Sequence, residues 1–135
     1  MIIIDATDLL IGRMSTVIAK KALLGQEVSI INAEKAVISG TKAMVIEKLK
    51  AQRNRGTPAK GPFLPRKADR FVRRTIRGML PYKVAKGAEA FKRVLCYVGV
   101  PEEFKDSKAI TIEAAKVKKL PTLNYVTVED AIKHI

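Results

Sequence analysis

The chain has 135 residues, 47% of them apolar, and carries a formal charge of +13 from 26 Lys and Arg against 13 Asp and Glu. That length fits one domain, residues 1–135, and the apolar content suffices for a core, which excludes a disordered basic tail. One cysteine (Cys96), no signal-peptide pattern in Met-Ile-Ile-Ile-Asp and no apolar run near the ~18 residues that span a bilayer point to a soluble protein of a reducing, cytosolic compartment.

Ile2-Ile3-Ile4 reads as a buried strand ended by Asp5. Met14, Val17 and Ile18 recur at helical spacing, with Lys21 and Leu24 near the same face, and Gly25 stops the pattern where a C-terminal cap belongs. Val28 to Ile31 is a second strand ended by Asn32, and Ala36 to Ile38 a short third one. Ser39-Gly40-Thr41 caps a helix from about Lys42 to Arg53, with Val45, Ile46 and Leu49 inward. From Asn54 to Lys67 the chain holds Gly56, Pro58, Gly61, Pro62 and Pro65 and no acid, which predicts an extended basic loop.

A helix then runs from about Asp69, a candidate cap, to Leu80, and Pro81 ends it. Val72, Ile76, Met79 and Leu80 form its apolar stripe. Val84, Ala88, Phe91 and Leu95 predict the inner face of a further helix, with Lys86 and Arg93 on its far side, and Leu95 to Val98 a fourth strand. Ile110 to Ile112 is a short strand or extended piece. Thr127 and Asp130 resemble a capping box, and Val128, Ile132 and Ile135 face a final helix inward. Strands alternating with helices imply an α/β fold around a small, mostly parallel, four-stranded sheet.

The charge is concentrated. Residues 48–93 hold 15 Lys and Arg against only Asp69 and Glu89, and the rest of the chain balances 11 basic with 11 acidic side chains. A neutral body with one cationic segment suits a polyanion, and nucleic acid is the usual one. On the helix, Arg70, Arg73, Arg74 and Arg77 span about 100° of arc, where a solvated face would mix signs. The charge argument adds Arg53, Arg55, Lys60, Arg66 and Lys67 in and beside the loop, and Lys83, Lys86 and Arg93 beyond the helix. Gly12-Arg13, at a helix start, could hold one phosphate through backbone N–H groups. With 5% aromatic residues and no Trp, the surface should grip the backbone of a structured RNA or a duplex rather than stack on single strands.

Two other classes compete. Asp5, Asn32 and Ser39 fall at strand ends, where open α/β sheets bind ligands, so a small enzyme acting on a phosphorylated or nucleotide substrate is the alternative. Capping and turn formation explain the same residues. The only histidine, His134, lies at the chain end, Cys96 sits in an apolar run, and no Cys/His set has metal spacing. Neither a dinucleotide fingerprint nor a P-loop occurs, so the residues themselves give no signal for a cofactor or a small-molecule substrate. A chromatin-like duplex binder shares the charge.

The sequence resembles the universal large-subunit ribosomal protein thirteen family, in its archaeal and eukaryotic form. The matching residues are Ile4-Asp5-Ala6, Gly12 to Ser15, Val28 to Asn32, Ser39-Gly40, Gly61-Pro62, the block Arg74-Thr75-Ile76-Arg77-Gly78-Met79-Leu80-Pro81, Gly87, Ala90 and Tyr97 to Pro101. The resemblance covers roughly Ile2 to Phe104. It implies a three-layer α/β/α fold and a structural, non-enzymatic constituent of the large ribosomal subunit without cofactor. Its partners would be large-subunit ribosomal RNA and neighbouring ribosomal proteins. It implies RNA contact at Arg13, Arg74, Arg77 and the loop at Gly61. The segment from about Lys105 to Ile135 looks like the lineage-specific tail of the archaeal and eukaryotic type.

Overall fold

The computed structural model describes residues 1–121 and 124–135. The β-branched run Ile2–Asp5 forms β1 and is followed by helix α1, Ile11–Leu23. Strand β2, Val28–Ile31, is buried at every residue because it is the central strand of a parallel sheet ordered β1-β2-β4, with β4 at Val94–Cys96. Ile110 lies along the outer side of β1: its amide donates to the Ile3 carbonyl at 2.9 Å, and its carbonyl accepts from the Asp5 amide at 3.0 Å.

The α/β class and the mostly parallel sheet are as expected, but among the described residues the strands divide into a sheet of three and a sheet of two instead of one sheet of four. The third strand, β3 at Val37–Ser39, pairs antiparallel with β5 at Tyr125–Thr127, a strand that the sequence pattern does not announce. Thr127 also does what its spacing suggests: its hydroxyl accepts from the Asp130 amide at 3.3 Å and caps α5, Val128–Lys133. Among the described residues no helix is long and apolar enough to cross a membrane.

Local signals placed the helix ends well. At the end of α1, Gly25 adopts φ +97° and donates to Ala22, while Gln26 reaches back to the Lys21 carbonyl at 3.2 Å, a left-handed cap that glycine allows. Helix α2, Lys42–Arg53, starts where the Thr41 hydroxyl accepts from the Met44 amide. Helix α3 covers Ala68–Gly78 and buries Val72 and Ile76 as its spacing requires. Met79, expected inward, is 42% exposed. Asp69 is no cap: Lys67 holds that position, and one Asp69 carboxylate oxygen is buried without a protein partner.

Helix α4, Ala85–Lys92, turns a different face inward from the one its large apolar residues suggest. Gly87 and Ala90 are buried, whereas Val84 is 55% exposed. The helix packs so close to the turn before it that only glycine fits at position 87, and the strand expected from Leu95 begins one residue earlier, at Val94.

The larger core gathers Ile4, Met14, Ile18, Ile30, Val72 and Ile76, with Ala115 and Val128 joining from the last third of the chain. A smaller one joins Val45 and Leu49 of α2 to Val126 and Ala131. Ile38 and Phe71 pack against both.

Candidate nucleic-acid interface

The basic residues divide by what they touch. Arg13 stands exposed in the first turn of α1. Arg53 at the end of α2, and Arg55 and Lys60 in the loop, are exposed too, as are Arg66, Lys67, Arg70, Lys83 and Lys86. The loop is irregular except for a turn in which the Lys60 and Gly61 amides donate to the Thr57 carbonyl. Gly61 supplies the left-handed conformation this turn needs, at φ +77°.

Two residues expected on the free face are committed inside the protein. Arg73 donates from Nε to the Val94 carbonyl at 2.9 Å and from its terminal nitrogen to the Phe91 carbonyl at 3.2 Å, with its guanidinium 3.9 Å from the centre of the Phe91 ring. Arg93 donates to the Ala22 carbonyl at 3.0 Å, at the end of α1. The other half-buried arginines are less engaged. Arg74 donates to the Phe63 carbonyl, tying the loop to α3. Arg77 lies over the Tyr82 ring at 4.8 Å, and its buried Nε has no protein partner.

None of these cations is neutralised by an acid. Among the described residues the ion pairs are Lys116–Glu113 at 2.8 Å and Lys133–Glu129 at 3.5 Å, both outside residues 48–93. The segment is therefore a strongly cationic field, whose self-repulsion an anionic partner would relieve.

A groove of about 720 Å³ opens within this field, between the start of α1, β3, α2, the loop and α3. Arg13, Arg55 and Arg74 line it, as does Lys48, which no sequence pattern singled out beyond opening the basic segment. Its place on α2, one residue before the buried Leu49, is the signal that could have found it.

The strand-end residues do not form a catalytic set. One carboxylate oxygen of Asp5 accepts from the Thr7 amide at 3.0 Å, the Thr7 hydroxyl at 2.6 Å and the Asn32 side chain at 3.1 Å. Burial works to raise the Asp5 pKa, but these hydrogen bonds and the nearby Lys35 charge hold it below its ordinary value. Asn32 is buried in the left-handed conformation, and Ser39 belongs to the other sheet. Burial pushes the Cys96 thiol up to about 12 against the opposing charge of Arg73, so it stays protonated at neutral pH.

Residues 1–103 match the family model described as Ribosomal protein L13. The chain is 45% identical over 135 residues to the large ribosomal subunit protein uL13 of Methanococcoides burtonii, covering all of this chain and 97% of that protein. It is 46% identical over 127 residues to the protein of the same name from Methanosarcina barkeri, covering 93% and 91% of the two chains. With that of Archaeoglobus fulgidus it shares 42% over 134 residues, covering 98% and 86%.

Proposed function

Since this chain belongs to the ribosomal protein L13 family, we propose that it is a structural, non-enzymatic constituent of the large ribosomal subunit in the cytoplasm, holding large-subunit ribosomal RNA by its phosphates. The residues assigned to the grip are Arg13, Arg53, Arg55, Lys60, Arg66, Lys67, Arg70, Arg74, Arg77, Lys83 and Lys86, on a loop shaped by Gly61. Arginine forks suit phosphate oxygens, and lysines add point charge. Other large-subunit proteins are its neighbours in this reading.

The observation that carries the proposal is the excess of 15 cations over two acids in residues 48–93, none of them in an ion pair among the described residues. An enzyme for a phosphorylated or nucleotide substrate would need a free acid or base at the strand ends, and the saturated carboxylate oxygen of Asp5 works against it. Residues 1–135 are read as one domain, supported by Ile38 and Phe71, which both cores share. The finer three-layer α/β/α arrangement belongs to the same reading, supported by the burial of β2 at every residue, which requires cover on both faces of that strand.

Co-sedimentation with large subunits through a sucrose gradient at low and high salt tests the assignment. If about 6–10 side chains meet phosphates, affinity for duplex RNA should fall by roughly 10³–10⁵ between about 50 and 200 mM salt. A flat salt response would contradict it.

A further inference from the structure

The groove beside α1 joins basic side chains to apolar ones. Its volume, about 720 Å³, is that of a small-ligand site, for which about 300–1,000 Å³ is usual. The half-buried Leu64, Pro65 and Phe71, with the nearly buried Leu10, Val45 and Leu49, give it apolar walls. Arg13, Lys48, Arg55 and Arg74 also line it, and no acid occurs among its described lining residues. Gln52 and Ser39 add neutral hydrogen-bonding groups.

Each simpler occupant fits only half of this. A paired duplex keeps its bases stacked inside and offers phosphates to an outer surface, leaving the apolar walls unused. A free phosphate has no apolar part. An apolar side chain from a protein neighbour would cover the walls but leave four like charges uncompensated. A nucleotide turned out of its stack matches both halves: its base has apolar faces and a hydrogen-bonding edge, and anionic phosphates flank it.

We propose that this groove seats one unpaired, unstacked nucleotide of the bound RNA. Its base lies between the apolar walls within reach of the Gln52 amide, and its flanking phosphates rest on Arg13, Lys48, Arg55 and Arg74. The proposal rests on the RNA-binding reading above. It makes the site selective for a bulged or looped-out position, which a phosphate grip alone cannot be.

The test compares two short RNA hairpins, one fully paired and one with a single bulged nucleotide, made with each of the four bases. The protein carries labelled Leu and Val methyl groups and is observed by NMR. The bulged hairpin should bind about tenfold more tightly, the effect of one well-seated base. It should shift the methyls of Leu10, Val45 and Leu49, which the paired hairpin and inorganic phosphate leave in place. Gln52→Trp, filling the groove from a half-buried position on α2, should abolish the preference without weakening the paired hairpin. Leu64→Trp from the facing loop serves if that variant disturbs the core methyls. Equal binding of the two hairpins, or a preference that survives a folded groove-filling variant, overturns the groove proposal and leaves the phosphate grip standing. Methyl shifts produced by an apolar peptide but by no bulged RNA would assign the groove to a protein neighbour and also overturn it. Failure of both hairpins to bind would sink the RNA reading as well.

Discussion

The backbone of Gly87 lies against the carbonyl of Pro81 so closely that a Cβ on Gly87 would fall inside the oxygen. Gly78, nine residues earlier in the last turn of α3, has nothing within 4 Å of the same position. Gly87→Ala should therefore force α4 away from the turn and cost about 1–3 kcal/mol, the usual penalty of overpacking. Gly78→Ala should be neutral or stabilise by up to about 1 kcal/mol through the unfolded chain. Thermal melts of the two variants check the contrast.

Neighbouring arginines of one stripe should part company. Arg73→Ala leaves the Val94 carbonyl without its side-chain donor, takes one donor from the Phe91 carbonyl and removes a stacked guanidinium, so it should cost about 2–3 kcal/mol of stability. Arg70→Ala, on the exposed face, should stay within about 0.5 kcal/mol of wild type and weaken RNA binding instead. Denaturant melts and filter binding on both variants decide it. Equal stability would contradict the structural role given to Arg73.

Ile76 is fully buried in the larger core together with Val72, one position before Arg77. Ile76→Ala should destabilise by about 2–5 kcal/mol, and the affinity of the folded fraction for RNA should hold. Loss of RNA binding at unchanged stability would show that α3 presents its other face to the core.

Removing the chain after Phe104 should abolish the cooperative melt, although the family match ends at residue 103. Val126 and Val128 would be lost and Val45 and Leu49 uncovered. Each such burial is worth about 1.5–3 kcal/mol, which together rivals the whole stability of a domain, about 5–15 kcal/mol. Circular dichroism melts of the shortened chain test this, and a sharp transition near the wild-type Tm would refute it.

Asp5 sets an acid limit. Its folded pKa lies below the unfolded value of 3.8, so its contribution is fully present above that pH and is lost as pH falls through the folded value. Stability should therefore drop below about pH 4, and Asp5→Asn should flatten that part of the profile. An unchanged acid limb in the variant would assign the loss to other carboxylates.

The bounds of α2 were legible because its start depends on Thr41 and its inner face on Val45 and Leu49, all local signals. The buried stripe of α3 was legible for the same reason at Val72 and Ile76. The partner of β3 was not, since Val37–Ser39 pairs with a segment almost ninety residues away and no local pattern carries that register. Nor was the inward turn of Arg73 and Arg93: a sequence displays a guanidinium's charge but not the remote carbonyls that take its donors. The inner face of α4 was not legible because its orientation follows the close approach of Gly87 to the Pro81 carbonyl, which no apolar spacing announces. The groove draws on segments from Leu10 to Leu120, so only the folded chain reveals it.

The two outer strands of the parallel sheet are each occupied, β1 by the backbone of Ile110 and β4 by the guanidinium of Arg73. A bare strand edge is a template for adding strands from another molecule, and Leu95 and Val98, 45% and 58% exposed, would make the β4 side adhesive. Both outer strands of this sheet are thus partly covered against strand addition before the protein meets an anionic partner, and its net charge of +13 keeps copies apart. Arg73 is in this respect a guard against self-assembly during the interval before the protein meets its polyanion.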